Sequence, residues 1–563
     1  MAFQLSPGVN VSEIDLTTVV PSVLTTAGAF AGPFSWGPTG KVILVDNEIT
    51  LTQRFGNPSN NTATSFFTAA SFLAYGNNLS VVRAANNFTN NASANTLYAT
   101  QVGNSDVFQY QLLNSDNANQ YGAFMARYSG VLGNSLSVSV CDTASQFSTW
   151  TYASYFTAAP GTSTFASSVG GANDEIHIVV VDTNGAFTGS KGTVLETFPF
   201  LSKASNATVN GNSNYYKQAI FNSSRYIYAV DPVSYSSTRL SWGQPAANTN
   251  FVQLGTNVTT ALTGGTDVTP TVGDYITAYS QYTNKELIDI SLVLTGDANT
   301  VVQQYVIDNI VNTRQDCVAF LSPPVSAVNT LNVDPTTGIS TWLTSLARST
   351  SYAVVDSGWK YMYDKYNQVY RYVPLNGDIA GLCVNTDTVR DPWFSPAGFN
   401  RGAIKNAIRL AWNPNKTQRD TLYNAGVNPV VSFPGQGIVL FGDKTLQSKP
   451  SAFDRINVRR LFIVLEKAIA KAAQYSLFEF NDDFTRAQFV ALVTPFLRDV
   501  KGRRGITDFR VVCDTTNNTP QVIDSNQFVG DIYIKPARSI NFIQLNFVAV
   551  GTGVDFTTIV TAV

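Results

Sequence analysis

The chain has 563 residues, of which 13% are charged, and its 36 Lys and Arg against 38 Asp and Glu leave a net charge of -2. That length exceeds what one hydrophobic core holds and implies about two to four domains. The weak, balanced charge excludes a strongly basic nucleic-acid binder and leaves little repulsion to oppose the packing of many copies.

In chain order the first readable element is a strand. Within Ser6–Leu16 (SPGVNVSEIDL), Val9 and Val11 alternate with Asn10 and Ser12, the period of a strand with one buried face. A strand at a terminus leaves its backbone donors and acceptors open unless a sheet edge receives it. Residues 23–86 mix a short strand at Lys41–Val45, a helix around Ser65–Tyr75 and a buried strand in LSVVRAA. From 87 to 265 the chain turns rich in Asn, Ser, Thr and aromatics. Alternating runs such as SLSVSVCD and EIHIVVVD are separated there by turn clusters such as NNFTNNAS, which predicts an antiparallel β-rich domain. Within 266–345, ELIDISLVLTG, NTVVQQYVIDNIVNTR and DCVAFLSPP read as strand, helix, strand, a right-handed βαβ unit.

Beyond 346 the texture is α/β. One long helix is predicted from about Val458 to Phe480 and another from about Thr485 to Val500, kinked at Pro495. Asp482 or Asp483 can cap the second, and Gly502 sits where a terminator belongs. Strands follow at FRVVCD, at DIYIK and in the final run INFIQLNFVAVGTGVDF, where Ile543, Leu545, Phe547 and Ala549 share one face. The apolar run LFIVLEKAIAKAA is interrupted by Glu466, Lys467 and Lys471, so it predicts no membrane insertion. MAFQLSPG lacks the basic and apolar regions of a secretory signal.

Catalytic constellations are poorly represented, and the expectation is a protein that is not an enzyme and uses no cofactor or metal. The single histidine, His177, lies in an alternating strand, where a packed side chain is the simpler role than a general base. GPTGK at Gly37–Lys41 lacks the spacing and hydroxyl of a phosphate loop, and no GxSxG or HExxH occurs. The cysteines Cys141, Cys317, Cys383 and Cys513 are far apart and predict buried, reduced thiols. Two basic features stand out. Arg460, Lys467, Lys471 and Gln474 form one stripe opposite the apolar face of Leu461, Leu465, Ala468 and Ala472. Arg498, Lys501, Arg503 and Arg504 cluster around the end of the second helix in LRDVKGRRG. Both fit either a solvated helix face with favourable charge at a C-terminus, or a docking surface for an acidic partner.

The blocks SPGVNVSEID, GAFAGPFSWGPTGKVILVDNEITLTQRFGNP, FLAYGNNLSVVRAA, ARYSGVLGNSLSVSV, VNTDTVRDPWFSPAGFNRGAI, KPSAFDRINVRRLFIVLEKAI, FLRDVKGRRGITDFRVVCDTTNNTP and VGDIYIKPARSINFIQLNFVAV carry more than their spacing. In this order they resemble the contractile tail sheath proteins of T-even-like myovirus bacteriophages. The resemblance implies an α/β (α+β) multidomain fold, with a core built from N- and C-terminal portions and peripheral domains inserted between them. Taken with the changes of texture along the chain, it divides the sequence into a linking arm (1–22), the first part of the core (23–86), an inserted β-rich domain (87–265), an inserted βαβ domain (266–345), the core and C-terminal sheath domain (346–540) and a C-terminal strand and arm (541–563).

The resemblance also implies a function. Such subunits polymerise as stacked rings around an inner tail tube, then contract to drive the tube through the host envelope during genome delivery. It implies terminal arms that add strands to neighbouring subunits, through Pro7, Gly8, Val9, Val11 and Ile14 at one end and Ile543, Leu545, Phe547, Val554 and Phe556 at the other. It makes Arg460, Lys467, Lys471, Arg498, Lys501, Arg503 and Arg504 candidates to face the tube. The implied partners are further copies of the chain, the tube protein, and baseplate and tail terminator proteins, with no direct nucleic-acid contact. The implied location is the virion tail, assembled in the host bacterial cytoplasm. Competing readings are a β-rich adhesin or glycan-binding protein, suggested by the aromatic, Asn-rich middle, and the sheath of a tailocin-type device.

Overall fold

The computed structural model describes residues 20, 23–113, 119–233, 241–329 and 334–545. Its centre is a seven-stranded sheet whose spatial order is Val427–Asn428, Ala353–Asp356, Val318–Leu321, Leu292–Leu294, Gly28–Gly32, Leu79–Arg83 and Ile43–Val45. Every pairing is parallel except that of the edge strand Ile43–Val45. A parallel sheet is covered on both faces, which is why LSVVR and VAFL read as continuous runs with every residue buried. Phe30, Leu294 and Phe320 project into one core, together with Phe66, Phe72 and Leu382. Ala29, Val293 and Ala319 project into the opposite core, together with Tyr279, Ile307 and Trp342.

This topology corrects the expected division of the chain. The strand–helix–strand of 266–345 is not a separate inserted domain, because Leu292–Leu294 and Val318–Leu321 are inner strands of the central sheet. Gly28 pairs with Leu292 and Phe30 with Leu294. Parallel strands are covered on both faces, and here Gly28–Gly32 supplies one edge of Leu292–Leu294. The mixed α/β fold class expected from the sequence holds.

A buried polar network fixes the helix Asn376–Val389 against this sheet. The Asn376 amide donates to Gly296 O (2.8 Å) and to Ser322 Oγ (2.9 Å), while its oxygen accepts from Gly296 N (3.0 Å). Ser322 in turn donates to Asp356 at 2.7 Å, and Gly358 N donates to the other Asp356 oxygen at 2.8 Å. Burial dominates over these hydrogen bonds and, helped by Asp378, pushes the Asp356 carboxyl up to about 8. A carboxyl raised in the folded state stabilises the fold fully below its unfolded value, near 4, and loses that contribution as pH rises through about 8. Asp356→Asn, which mimics the neutral acid, is therefore expected to gain stability relative to the parent across this window. Paired thermal melts at pH 5 and pH 8 check it, and a pH-independent difference between the two proteins would contradict it.

Residues 91–261 carry two larger antiparallel sheets and the short hairpin Thr208–Val209 with Asn212–Ser213. One orders Ile227–Ala229, Phe124–Ser129 and Asn91–Ser93, and the other orders Val258–Ala261, Leu136–Cys141, Glu175–Asp182 and Thr193–Ser202. Trp36, from the central-sheet region, enters this domain's core edge-on to Tyr128 (5.3 Å) and Phe187 (5.1 Å). A fully buried ion pair, Lys203 to Asp142 at 2.9 Å, ties Leu136–Cys141 to the end of Thr193–Ser202.

The C-terminal unit is a helical hairpin, Ile456–Ala473 and Asp483–Gly502, packed with the two-stranded antiparallel sheet Ile506–Val512 and Asp531–Pro536. Asp482 caps the second helix by accepting from Thr485 N at 2.8 Å. Gly502 still belongs to that helix. The left-handed residue that ends it is Arg504 (φ 67°), with Gly505 N bonded to Val500 O and Arg504 N to Lys501 O, the Schellman arrangement. The first helix stops at Ala473 instead of running on towards Phe480, because the residues beyond it find no core to pack against. All four cysteines are free and buried. Among the described residues no helix is long and apolar enough to cross a membrane.

Candidate assembly surfaces

The C-terminal segment leaves the molecule from a defined anchor. Asp443, 2% exposed, accepts from Ser539 Oγ (2.8 Å), Asn541 Nδ2 (3.0 Å) and Tyr423 OH (3.2 Å). Beyond that anchor Ile543 and Leu545 are 77% and 71% exposed and belong to no strand of their own subunit. Phe547, Val554 and Phe556 lie outside the described residues, as do Pro7, Gly8, Val9, Val11 and Ile14 of the N-terminal segment. Close by, the two-stranded sheet of the C-terminal unit has an unpaired edge on each side among the described residues. Such edges are templates for strand addition.

The basic stripe of the first hairpin helix does not act as one surface. Leu461, Leu465, Ala468 and Ala472 are buried, as the periodicity predicts. Arg460 is buried too, which corrects its assignment as tube-facing. Its guanidinium grips Asp387 through two bonds of 2.7 and 2.6 Å and lies 3.4 Å from Cys383 O and Thr25 O. Burial would lower its pKa, but the Asp387 carboxylate outweighs burial and holds it above the usual arginine range. Lys467 also turns inward, to Asp289 (2.7 Å), Ile290 O (2.9 Å) and Ser291 Oγ (3.1 Å). Lys471 alone of the three cations is exposed.

The second cluster stays on the surface, with Arg498, Lys501, Arg503 and Arg504 all exposed. Lys501 bonds Asp508 at 3.1 Å, and Arg503 bonds Asp391 and Asp499. Arg498 and Arg504 have no carboxylate partner among the described residues.

His177 has no catalytic neighbours. Its Nε2 donates to Ala158 O (2.8 Å), its Nδ1 accepts from Phe200 N (3.0 Å), and it stacks on Phe156. Burial holds its pKa below the usual histidine value. Reading the sequence as helix up to Phe480 missed the exposed aromatic run Tyr475–Phe484. Its signal was there, since Leu477, Phe478 and Phe480 directly precede the capping residue Asp482.

Three family profiles match the chain. "Tail sheath protein Gp18 domain III N-terminal region" covers 25–84, "Phage tail sheath protein central domain" covers 269–446 and "Phage tail sheath C-terminal domain" covers 448–549. The antiparallel domain lies between the first two. The tail sheath protein of Vibrio phage KVP40 is 34% identical, spanning 99% of this chain and 99% of its own length. That of Enterobacteria phage T4 is 33% identical over 98% of each chain. The helical sheath of the anti-feeding prophage in its contracted state superimposes with a TM-score of 0.52 at 12% identity, covering 97% of this chain and 99% of that one. At that identity the likeness is one of fold.

Proposed function

The chain belongs to the tail sheath proteins of contractile bacteriophages, and from that premise we propose how it works. It is a structural subunit of the phage tail that polymerises helically into a sheath and contracts. The finer reading is that the sheath surrounds a tail tube, ends on baseplate and terminator proteins, and is assembled in the host cytoplasm. Contraction then drives the tube through the envelope.

The observation that carries the mechanism is the contrast between a closed core and an open periphery. The central sheet is covered on both faces, while among the described residues the C-terminal unit offers unpaired strand edges beside a C-terminal segment whose Ile543 and Leu545 are exposed. Arms that add strands to neighbours supply backbone hydrogen bonds worth about 1 kcal/mol each. They can stay attached while the domains between them rotate as rigid bodies. The work comes from surface buried only after contraction. On the order of 400 Å² of extra apolar burial per subunit would release about 10 kcal/mol, an upper estimate. The long form is then held by a barrier.

Negative-stain images of the purified protein are expected to show hollow striated tubes, and a protein that stays monomeric at high concentration would refute the assembly. The tube-facing role is assigned to Arg498. Arg498→Glu should weaken sheath–tube binding severalfold, more at low salt, and leave sheath–sheath assembly intact. Co-sedimentation with tubes at two salt concentrations measures this, and unchanged binding removes the assignment.

A further inference from the structure

The two ends of the C-terminal helical hairpin are chemically opposite. At the turn between the helices, Tyr475, Leu477, Phe478, Phe480 and Phe484 are all exposed, Phe478 completely so and at a left-handed φ of 70°. Glu479 and Asp482 lie among them, and the sequence has no Lys or Arg between Lys471 and Arg486. A soluble protein rarely presents so many large apolar side chains together unless another surface covers them.

The second helix has 20 residues, so its far end lies about 30 Å away. There, between the hairpin, the central-sheet region and the anchored C-terminal segment, runs a groove of about 1330 Å³. Its lining includes Arg401, Lys416, Arg419, Arg504 and Arg538, none of which has a carboxylate partner among the described residues, and these outnumber its two carboxylates, Asp420 and the anchored Asp443. Phe394 and Phe441 supply apolar walls. The groove offers more space than a drug-sized ligand fills, enough for several aromatic side chains.

We propose that the aromatic, acidic tip of one copy docks in the basic, aromatic groove of a second copy. The occupant is a copy of this chain because the chain itself carries both complementary surfaces, apolar with acid at the head and apolar with base at the tail. A contact between different patches of identical subunits is heterologous, so it propagates around a ring or along a helix. This contact goes beyond the terminal arms, since it joins folded bodies and needs neither terminus.

The test uses the full-length chain. Phe478→Ser with Phe480→Ser alters only exposed side chains, so the subunit's thermal melt should be unchanged while the protein concentration needed for pelletable tubes rises about tenfold or more. Tubes grown from a mixture of Phe478→Cys and Lys416→Cys subunits should give a cross-linked dimer with a short bismaleimide, and tubes of either variant alone should not. The native cysteines are buried and give little background. Wild-type tube formation with no change in the double serine variant overturns the contact while leaving the sheath assignment standing. Well-formed mixed tubes with no cross-link also overturn it. So does a serine variant that assembles normally but no longer grips the tail tube, because the tip's partner would then be the tube.

Discussion

Subunits lacking Met1–Leu16, and subunits ending after Leu545, are expected to fold, stay soluble and form no tubes. Either cut removes none of the described residues. Val20, which packs on Ala468 and Ala472, survives the first, while Ser539 and Asn541 keep their bonds to Asp443 in the second. What is lost is strand addition to a neighbour. An added strand contributes about one backbone hydrogen bond per residue and about 1 kcal/mol net for each, besides its buried side chains. Removing several such bonds from every junction raises the assembly concentration by orders of magnitude. The thermal melt should match that of the full chain, and electron microscopy should show dispersed particles. Normal tubes from either truncation would refute the arms as links, even if the wild type forms a sheath.

Arg460→Leu is expected to destabilise the subunit by about 3–5 kcal/mol, because it strands the buried Asp387 without a counter-charge. The guanidinium joins the first hairpin helix to the helix Asn376–Val389 and reaches Thr25 O, so the loss should loosen the C-terminal unit from the core. Replacing both partners, Arg460→Leu with Asp387→Leu, should recover much of the loss, since neither charge is then buried. A double-mutant cycle by chemical denaturation measures the coupling. The outcome also separates two roles, because a tube-contacting arginine would alter tube binding and leave the subunit's stability alone.

The same residue shows where local pattern stops being informative. Helical periodicity placed Leu461, Leu465, Ala468 and Ala472 on a buried face, and all four are buried. It could not say what stands opposite the basic stripe. Asp387 and Asp289 come from distant parts of the chain, and they turn Arg460 and Lys467 inward. The cluster at 498–504 was legible as exposed because it lies around a helix end. Which of its members are already paired depends on Asp391 and Asp508, and no spacing rule reveals that.

The strands Leu292–Leu294 and Val318–Leu321 tell the same story. Their apolar runs announced buried strands and the helix between them announced a crossover. Their neighbour Gly28–Gly32, however, comes from the start of the chain, so a reading confined to adjacent residues made them a separate domain.

By itself, the sequence determined the α/β class, the presence of the two hairpin helices and of the strands in FRVVCD and DIYIK, the antiparallel texture of 91–261 and, through its ordered motifs, the family. Those features depend on side-chain periodicity and capping, which act over a few residues. Only the tertiary structure decided how strands order in the central sheet, which cations remain free and where exposed aromatics meet water. Each of those is set by partners far away in the chain, because burial and charge pairing depend on what packs opposite a residue.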